Sequence, residues 1–248
     1  MGISGGPYTV RDSSLILELD ASDRNSYVSG STTWKDVTPY GNNMSNINTP
    51  GYTSNYGGGI VYDGLTQYSN ISGTENQITS SAVTLEIICS VTSNTSTATG
   101  GNVYGLRIIA FRQNTRTNGY EGYILSYNTG SNNTIGTISA VAASTTGTQV
   151  AASVSSSTFN VPMVIAASFD SSYVKIYLNG QFVTQSVTGF ALNYNTGHKL
   201  TLGRANANGQ PFDGYFNGTI YSYKQYNRVL TVEEIQQNYN QLKSRFNL

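Results

Sequence analysis

Two carboxylates held about 5 Å apart can cleave a glycosidic bond, one as nucleophile and one as acid. The 248-residue chain has glutamates at positions 18, 75, 86, 121, 233 and 234. No two of them alternate along one strand-like stretch. Glu18 and Asp20 do alternate, but they lead into a turn, where a cap or a hydrogen bond is the simpler role. Glu86 stands alone, and Glu233 and Glu234 open a helix. His198 is the only histidine and lies in Asn195-Thr-Gly-His-Lys199, a turn, so a Ser-His-Asp triad lacks a well-placed base. One histidine and one cysteine cannot close a zinc site. The sequence therefore assigns no catalytic, cofactor or metal residues, and the expectation is a non-enzyme. Calcium stays open, because Asp63, Asp170, Asn206, Asn208 and Asp213 are loop oxygens of the kind it takes. Isolated Asp and Asn are equally ordinary turn residues.

Binding without chemistry is better supplied. Sugar recognition uses aromatic platforms and planar polar groups, and the chain has 19 tyrosines among abundant Asn. Tyr104, Tyr120, Tyr123, Tyr127, Tyr221 and Tyr223 fall on strand-like stretches, where packing is the plain reading. The tip Tyr52-Thr-Ser-Asn-Tyr56 is the better surface candidate. No individual ligand-binding residue is fixed by this reading.

Charged residues make up only 10% of the chain and the formal net charge is zero, against roughly 25% charged residues in an ordinary soluble domain. The basic residues are scattered, which disfavours nucleic acid. A near-zero net charge favours self-association, so a homo-oligomer is compatible with the composition. Cys89 cannot form an intrachain disulfide and reads as a buried thiol. Met1-Gly-Ile-Ser-Gly-Gly-Pro7 has neither a charged nor an apolar leader region, and no apolar run approaches membrane-spanning length. Synthesis in a cytoplasm, without export or membrane insertion, is the expectation.

The elements that would position such residues are mostly strands. Ser14–Asp20 alternates with Leu15, Leu17 and Leu19 on one face. Short strands are expected at 60–64 and 67–71, and longer ones at 82–92, 103–112, 120–127, 134–142 and 161–169. Asn179-Gly180 between two alternating runs predicts a type I′ hairpin, with Ile176 facing Val183 and Tyr177 facing Phe182. Residues 92–102 and 143–158 read as long loops or polar strands. Thr231-Val-Glu-Glu234 is a capping box, followed by Val232, Ile235, Tyr239 and Leu242 at helical spacing and by Lys243 and Arg245 at the end. The expected organisation is an N-terminal arm over 1–13 and one all-β domain over 14–248.

The order of these segments resembles the laminin-G-like branch of the concanavalin A-like lectin/glucanase superfamily. The carriers are Leu17-Glu-Leu-Asp-Ala21, Ser31-Thr-Thr-Trp-Lys-Asp36, Gly41-Asn-Asn43, Ile60-Val-Tyr-Asp-Gly64 with Gln67-Tyr68, Thr84-Leu-Glu86, and Tyr177-Leu-Asn-Gly180. Leu202-Gly-Arg204, Phe216-Asn-Gly-Thr-Ile220 and Tyr226–Ile235 complete the set. The resemblance implies a jelly-roll β-sandwich of two antiparallel sheets with one short C-terminal helix. It implies glycan binding as one role. The family's glucanases carry a Glu-x-Asp-x-x-Glu pattern that this sequence lacks. Ile3-Ser-Gly-Gly-Pro7 with Val10-Arg-Asp12 is similar to structural proteins of tailed, T4-like bacteriophages of marine and cyanobacterial hosts. That second resemblance implies a virion location, as a capsid decoration or a fibre or tail component, with other virion proteins as partners. A lectin-type module touching host-surface glycans is the alternative.

Overall fold

The computed structural model describes residues 9–71, 80–92, 106–116, 119–128, 136–144, 146–156, 158–192, 200–204 and 214–248. In chain order the strands are β1 (Leu15–Asp20), β2 (Thr33–Trp34), β3 (Met44–Ile47), β4 (Gly51–Thr53), β5 (Gly59–Asp63), β6 (Tyr68–Ile71), β7 (Val83–Val91) and β8 (Leu106–Arg116). They continue as β9 (Gly119–Asn128), β10 (Gly136–Ala143), β11 (Gln149–Ser156), β12 (Met163–Phe169), β13 (Tyr173–Leu178), β14 (Gln181–Val187), β15 (Thr201–Leu202) and β16 (Asn217–Tyr226). One helix, α1 (Val232–Phe246), follows.

The strands form two antiparallel eight-stranded sheets. The first runs β14-β13-β12-β7-β16-β5-β4, with β1 also paired to the long β16. The second runs β11-β10-β9-β8-β15-β6-β3-β2. Their inner faces share one core, which includes Trp34, Tyr62, Leu85, Ile87, Tyr123 and Phe169. Fully burying such a side chain stabilises by roughly 1.5–3 kcal/mol. The expected all-β jelly-roll sandwich with a C-terminal helix is what the chain forms.

The first sheet carries a further layer. Helix α1 lies on its outer face, over Tyr177, Tyr226, Ile88 and Tyr221. This explains why Tyr177 and its neighbours are apolar on both faces of the 173–184 hairpin. The capping box is present: Thr231 Oγ1 accepts from Glu234 N–H at 3.2 Å, and Glu234 accepts from Thr231 N–H at 2.8 Å. Ile235, Tyr239 and Leu242 face the sheet as expected, but Val232 is 47% exposed. At the first helical position a side chain has only the entering loop beneath it, so the periodic pattern fails there.

Two further expectations change by a bulge. A register shift between Leu15 and Leu17 sends Leu15 to the outer layer, while Leu17 and Leu19 remain in the core. A second shift places Ile176 opposite Thr184 rather than Val183, while Tyr177 still faces Phe182. The polar stretch 149–156 is strand β11, paired along its whole length to β10. Its other edge meets β14, where Ser186 Oγ donates to Ala151 C=O at 2.8 Å and joins the two sheets.

Candidate functional site

The outer face of the second sheet gathers an aromatic and cationic cluster. In β6, Ser69 and Ile71 point inward. Ser69 Oγ lies 2.7 Å from Tyr62 Oη and donates to Asn46 Oδ1 at 2.6 Å. Strand alternation therefore turns Tyr68 and Asn70 outward. Leu202 of β15 is in the core, and Gly203 follows with φ +85°, close enough to Tyr62 that a Cβ would sit 3.2 Å from its ring. This turn delivers Arg204, which bridges to Tyr215 in antiparallel fashion. Phe216, next to Tyr215, is buried against Tyr62, so Tyr215 takes the outward side.

The result is a guanidinium between two rings. The Arg204 guanidinium carbon lies 5.0 Å from the Tyr68 ring centre and 5.2 Å from that of Tyr215. All three side chains are half-buried. Arginine stacks through its faces and hydrogen-bonds through its edges, so the cluster holds the cation rigid while its N–H fork keeps a direction. Such an arrangement can offer ring faces and a localised positive charge to a polar ligand. Among the described residues it contains no carboxylate.

The residues singled out in the sequence do not meet there. Asp63 is committed to its own turn, accepting from Leu65, Thr66 and Gln67 N–H at 2.8, 2.9 and 3.1 Å. Burial works against its charge, yet these backbone donors outweigh it and hold its carboxyl below the ordinary value. Asp170 likewise accepts from Ser172 and Tyr173 N–H. Among the described residues, no three His, Cys, Asp or Glu side chains could hold a metal ion. Asn206, Asn208, Asp213, His198, Glu75 and Tyr104 lie outside the described residues, as do the side chains of Tyr120 and Glu121.

The 52–56 tip lies at the surface, with Tyr52, Ser54 and Asn55 exposed, but Tyr56 is committed to packing. Tyr56 packs on Tyr221 and Phe246, with ring centres 5.6 Å away in each case, and so helps to anchor α1. Tyr52 is partly exposed and lies 5.7 Å from Tyr27. Tyr123, Tyr127 and Tyr223 are core residues. Tyr123 and Tyr223 both donate to Gln225 Oε1, and Tyr127 donates to Ser156 C=O. Cys89 is fully buried, and burial pushes its thiol up to about 12.

The carboxylates are engaged in structural bonds. Asp20 binds Arg245, Glu234 binds Arg228, and Glu18 binds Arg11 at 2.8 Å. Glu86 is not isolated: it lies beside Lys224 and accepts from Asn238 under α1. Glu18 and Glu86 flank Lys224 on neighbouring strands, a grouping the sequence does not reveal because the partners come from β1, β7 and β16. Both are buried beneath the helix, where no polysaccharide can reach them.

A family model described as concanavalin A-like lectin/glucanases superfamily matches residues 63–236. No curated protein matches the chain. Among solved structures, the binding domain of Paraclostridial Mosquitocidal Protein 1 is similar at 12% identity, with a TM-score of 0.67 over 92% of this chain and 52% of that one. The receptor binding domain of the botulinum neurotoxin C/D mosaic serotype follows at 13% identity and TM-score 0.65, over 92% and 51%. The botulinum neurotoxin serotype D ligand binding domain, solved with N-acetylneuraminic acid, is similar at 13% identity and TM-score 0.62, over 92% and 51%. The chain spans about half the length of these structures. At such identities the likeness is one of fold.

Proposed function

The chain belongs to the concanavalin A-like lectin/glucanases superfamily, and from that premise we propose that it is a glycan-binding module without catalytic activity. The observation that carries this reading is the Tyr68–Arg204–Tyr215 cluster on the outer face of the second sheet. A pyranose has apolar C–H faces and a polar hydroxyl rim. Tyrosine rings suit the first, and a cation held beside them suits the second. The fold neighbours support the same class of ligand, since one holds N-acetylneuraminic acid and others are receptor-binding domains. The engaged, buried carboxylates at Glu18 and Glu86 weigh against hydrolysis.

The test is a glycan array containing neutral and sialylated structures, followed by calorimetry on any hit, with and without calcium. Tyr68→Ala and Arg204→Ala are expected to weaken binding at least tenfold, about 1.4 kcal/mol, while both variants stay folded. Absence of any hit, or full binding by both variants, rejects the reading.

A second reading follows from the N-terminal resemblance to bacteriophage structural proteins alone, and the comparisons with known proteins add nothing to it. In that reading the module resides on a virion and docks on other virion proteins. Stoichiometric copies in purified particles would support it, and absence from particles would reject it.

A further inference from the structure

Glu86 belongs to the opposite sheet from the proposed glycan surface, and that function does not use it. On the outer face of the first sheet, pairing sets Glu18 of β1, Lys224 of β16 and Glu86 of β7 side by side. Lys224 Nζ lies 3.7 Å from Glu18 Oε1, and Arg11 Nη2 reaches the same oxygen at 2.8 Å. Both cations thus pair with Glu18, and neither comes within ion-pair distance of Glu86, which feels Lys224 only from farther off. Glu86 Oε2 accepts from Asn238 Nδ2 at 2.7 Å, while its Oε1 is buried with no hydrogen-bond partner.

Asn238 is also the tie between helix and arm. Its Oδ1 accepts from Val10 N–H at 2.7 Å, and its Nδ2 reaches Tyr226 Oη at 3.0 Å. Tyr226 Oη donates to Val10 C=O at 3.0 Å. The groups facing Glu86 are therefore Lys224 and Tyr226 from β16, Glu18 from β1 backed by Arg11 of the arm, neutral Asn238 from α1, and apolar Ala166 from β12.

We propose that docking of α1 and of residues 9–12 over Glu86 is coupled to proton uptake, so that this layer holds tightest at mildly acidic pH and loosens as the pH rises to neutrality. The physical cause is the cover itself. Helix and arm remove the carboxylate from water and return only one neutral hydrogen bond, from Asn238, while Lys224 of the underlying β16 is paired with Glu18. Burial drives the Glu86 carboxyl up to about 7, against the opposing pull of Lys224 and Asn238. Opening the layer returns Glu86 to water and to its ordinary value near 4.5. Between those two values the closed layer holds a proton that the open layer releases. Opening therefore becomes easier by up to about tenfold per pH unit across that window, and levels off above it.

The test is amide hydrogen exchange of the Val232–Phe246 and 9–12 segments from pH 5 to pH 8, corrected for intrinsic rates. A His198→Asn background removes the only histidine. The opening constant is expected to rise by more than tenfold between pH 5 and pH 7 and then to flatten, with the β10 and β11 amides unchanged. Glu86→Gln should abolish the slope. A flat profile in the parent, an equal slope in Glu86→Gln, or an equal slope in β10 and β11 overturns the proposal. Carboxyl-carbon NMR titration of the parent gives a check that needs no Glu86 variant, and a midpoint near 4.5 would also overturn it.

Discussion

Arg245, in the last turn of α1, binds Asp20 at the end of β1 through Nη1, at 2.8 Å to Oδ2 and 3.0 Å to Oδ1. The same side chain donates from Nε to Tyr56 C=O at 2.6 Å and from Nη2 to Gly58 C=O at 3.2 Å. One guanidinium thus closes the C-terminal end of the helix onto the first strand and onto the 55–58 turn. A lysine has three N–H donors, but all on one nitrogen, and cannot span the positions that Arg245 reaches from Nε, Nη1 and Nη2. Arg245→Ala is expected to cost on the order of 2 kcal/mol, since hydrogen bonds to charged groups contribute about 1.5–3 kcal/mol and this site is partly screened. Arg245→Lys should recover less than half of the loss. Chemical denaturation of the three proteins measures it, and a fully recovered lysine variant would refute the three-way role.

Arg245 also shows where sequence reading stops. A cation at a helix end is legible as a partner for the helix dipole, but Asp20 lies 225 positions away and only the fold joins them. The same holds for the candidate site. Tyr68 and Arg204 each sit in a recognisable family segment, yet nothing local says that β15 brings them within 5.0 Å. What was legible had its cause within a few residues: the Thr231–Glu234 capping box, the Asn179-Gly180 turn, and the alternation that orders the strands. Lys224 and Gln225 are polar side chains, yet both are buried. Lys224 is covered by the added helix layer, and Gln225 accepts from two core tyrosine hydroxyls. The bulges at Leu15–Leu17 and at Val183 displaced the predicted faces for the same reason, because a neighbouring strand and not the local pattern sets the register.

Gly180 is required twice over. Its φ of +76° and the φ of +49° at Asn179 are the paired positive values of a type I′ turn. Its α-carbon also lies under Tyr239 of α1, so that a Cβ would come within 2.8 Å of the tyrosine Cβ and ring. Gly180→Ala therefore combines backbone strain of about 1–3 kcal/mol with a clash that pushes the helix off the hairpin. The single variant should lose more stability than Asn179→Ala, and adding Tyr239→Ala should recover only the part of the clash made by the ring, since the Cβ at 2.8 Å remains. A Gly180→Ala protein as stable as the parent in urea denaturation would remove both arguments.

The acid limb of stability belongs to Arg228. Its guanidinium meets both oxygens of Glu234 at 2.7 Å and reaches Asp12 Oδ2 at 2.7 Å, tying the start of α1 to the arm. The Arg228 bond holds the Glu234 carboxyl below 4.5. Hydrogen bonds from Ser14 act together with Arg228 to hold that of Asp12 below 3.8. Both are depressed acids, so the unfolded chain binds their protons first as the pH falls. Their contribution is complete above about pH 5 and drains away as the pH falls through their lowered folded values. Melting temperatures recorded from pH 6 to pH 3 should therefore drop steeply in the parent and less steeply in Arg228→Ala, whose Tm is lower at pH 6 and converges on the parent's at pH 3. Glu86 acts with the opposite sign and at higher pH, because its carboxyl is raised. The two effects together predict a stability maximum near pH 5, between the loss of the Arg228 pairs and the ionisation of Glu86. Arg228→Ala should shift that maximum to lower pH and Glu86→Gln should extend it toward higher pH, and identical pH profiles for the two variants would refute the assignment.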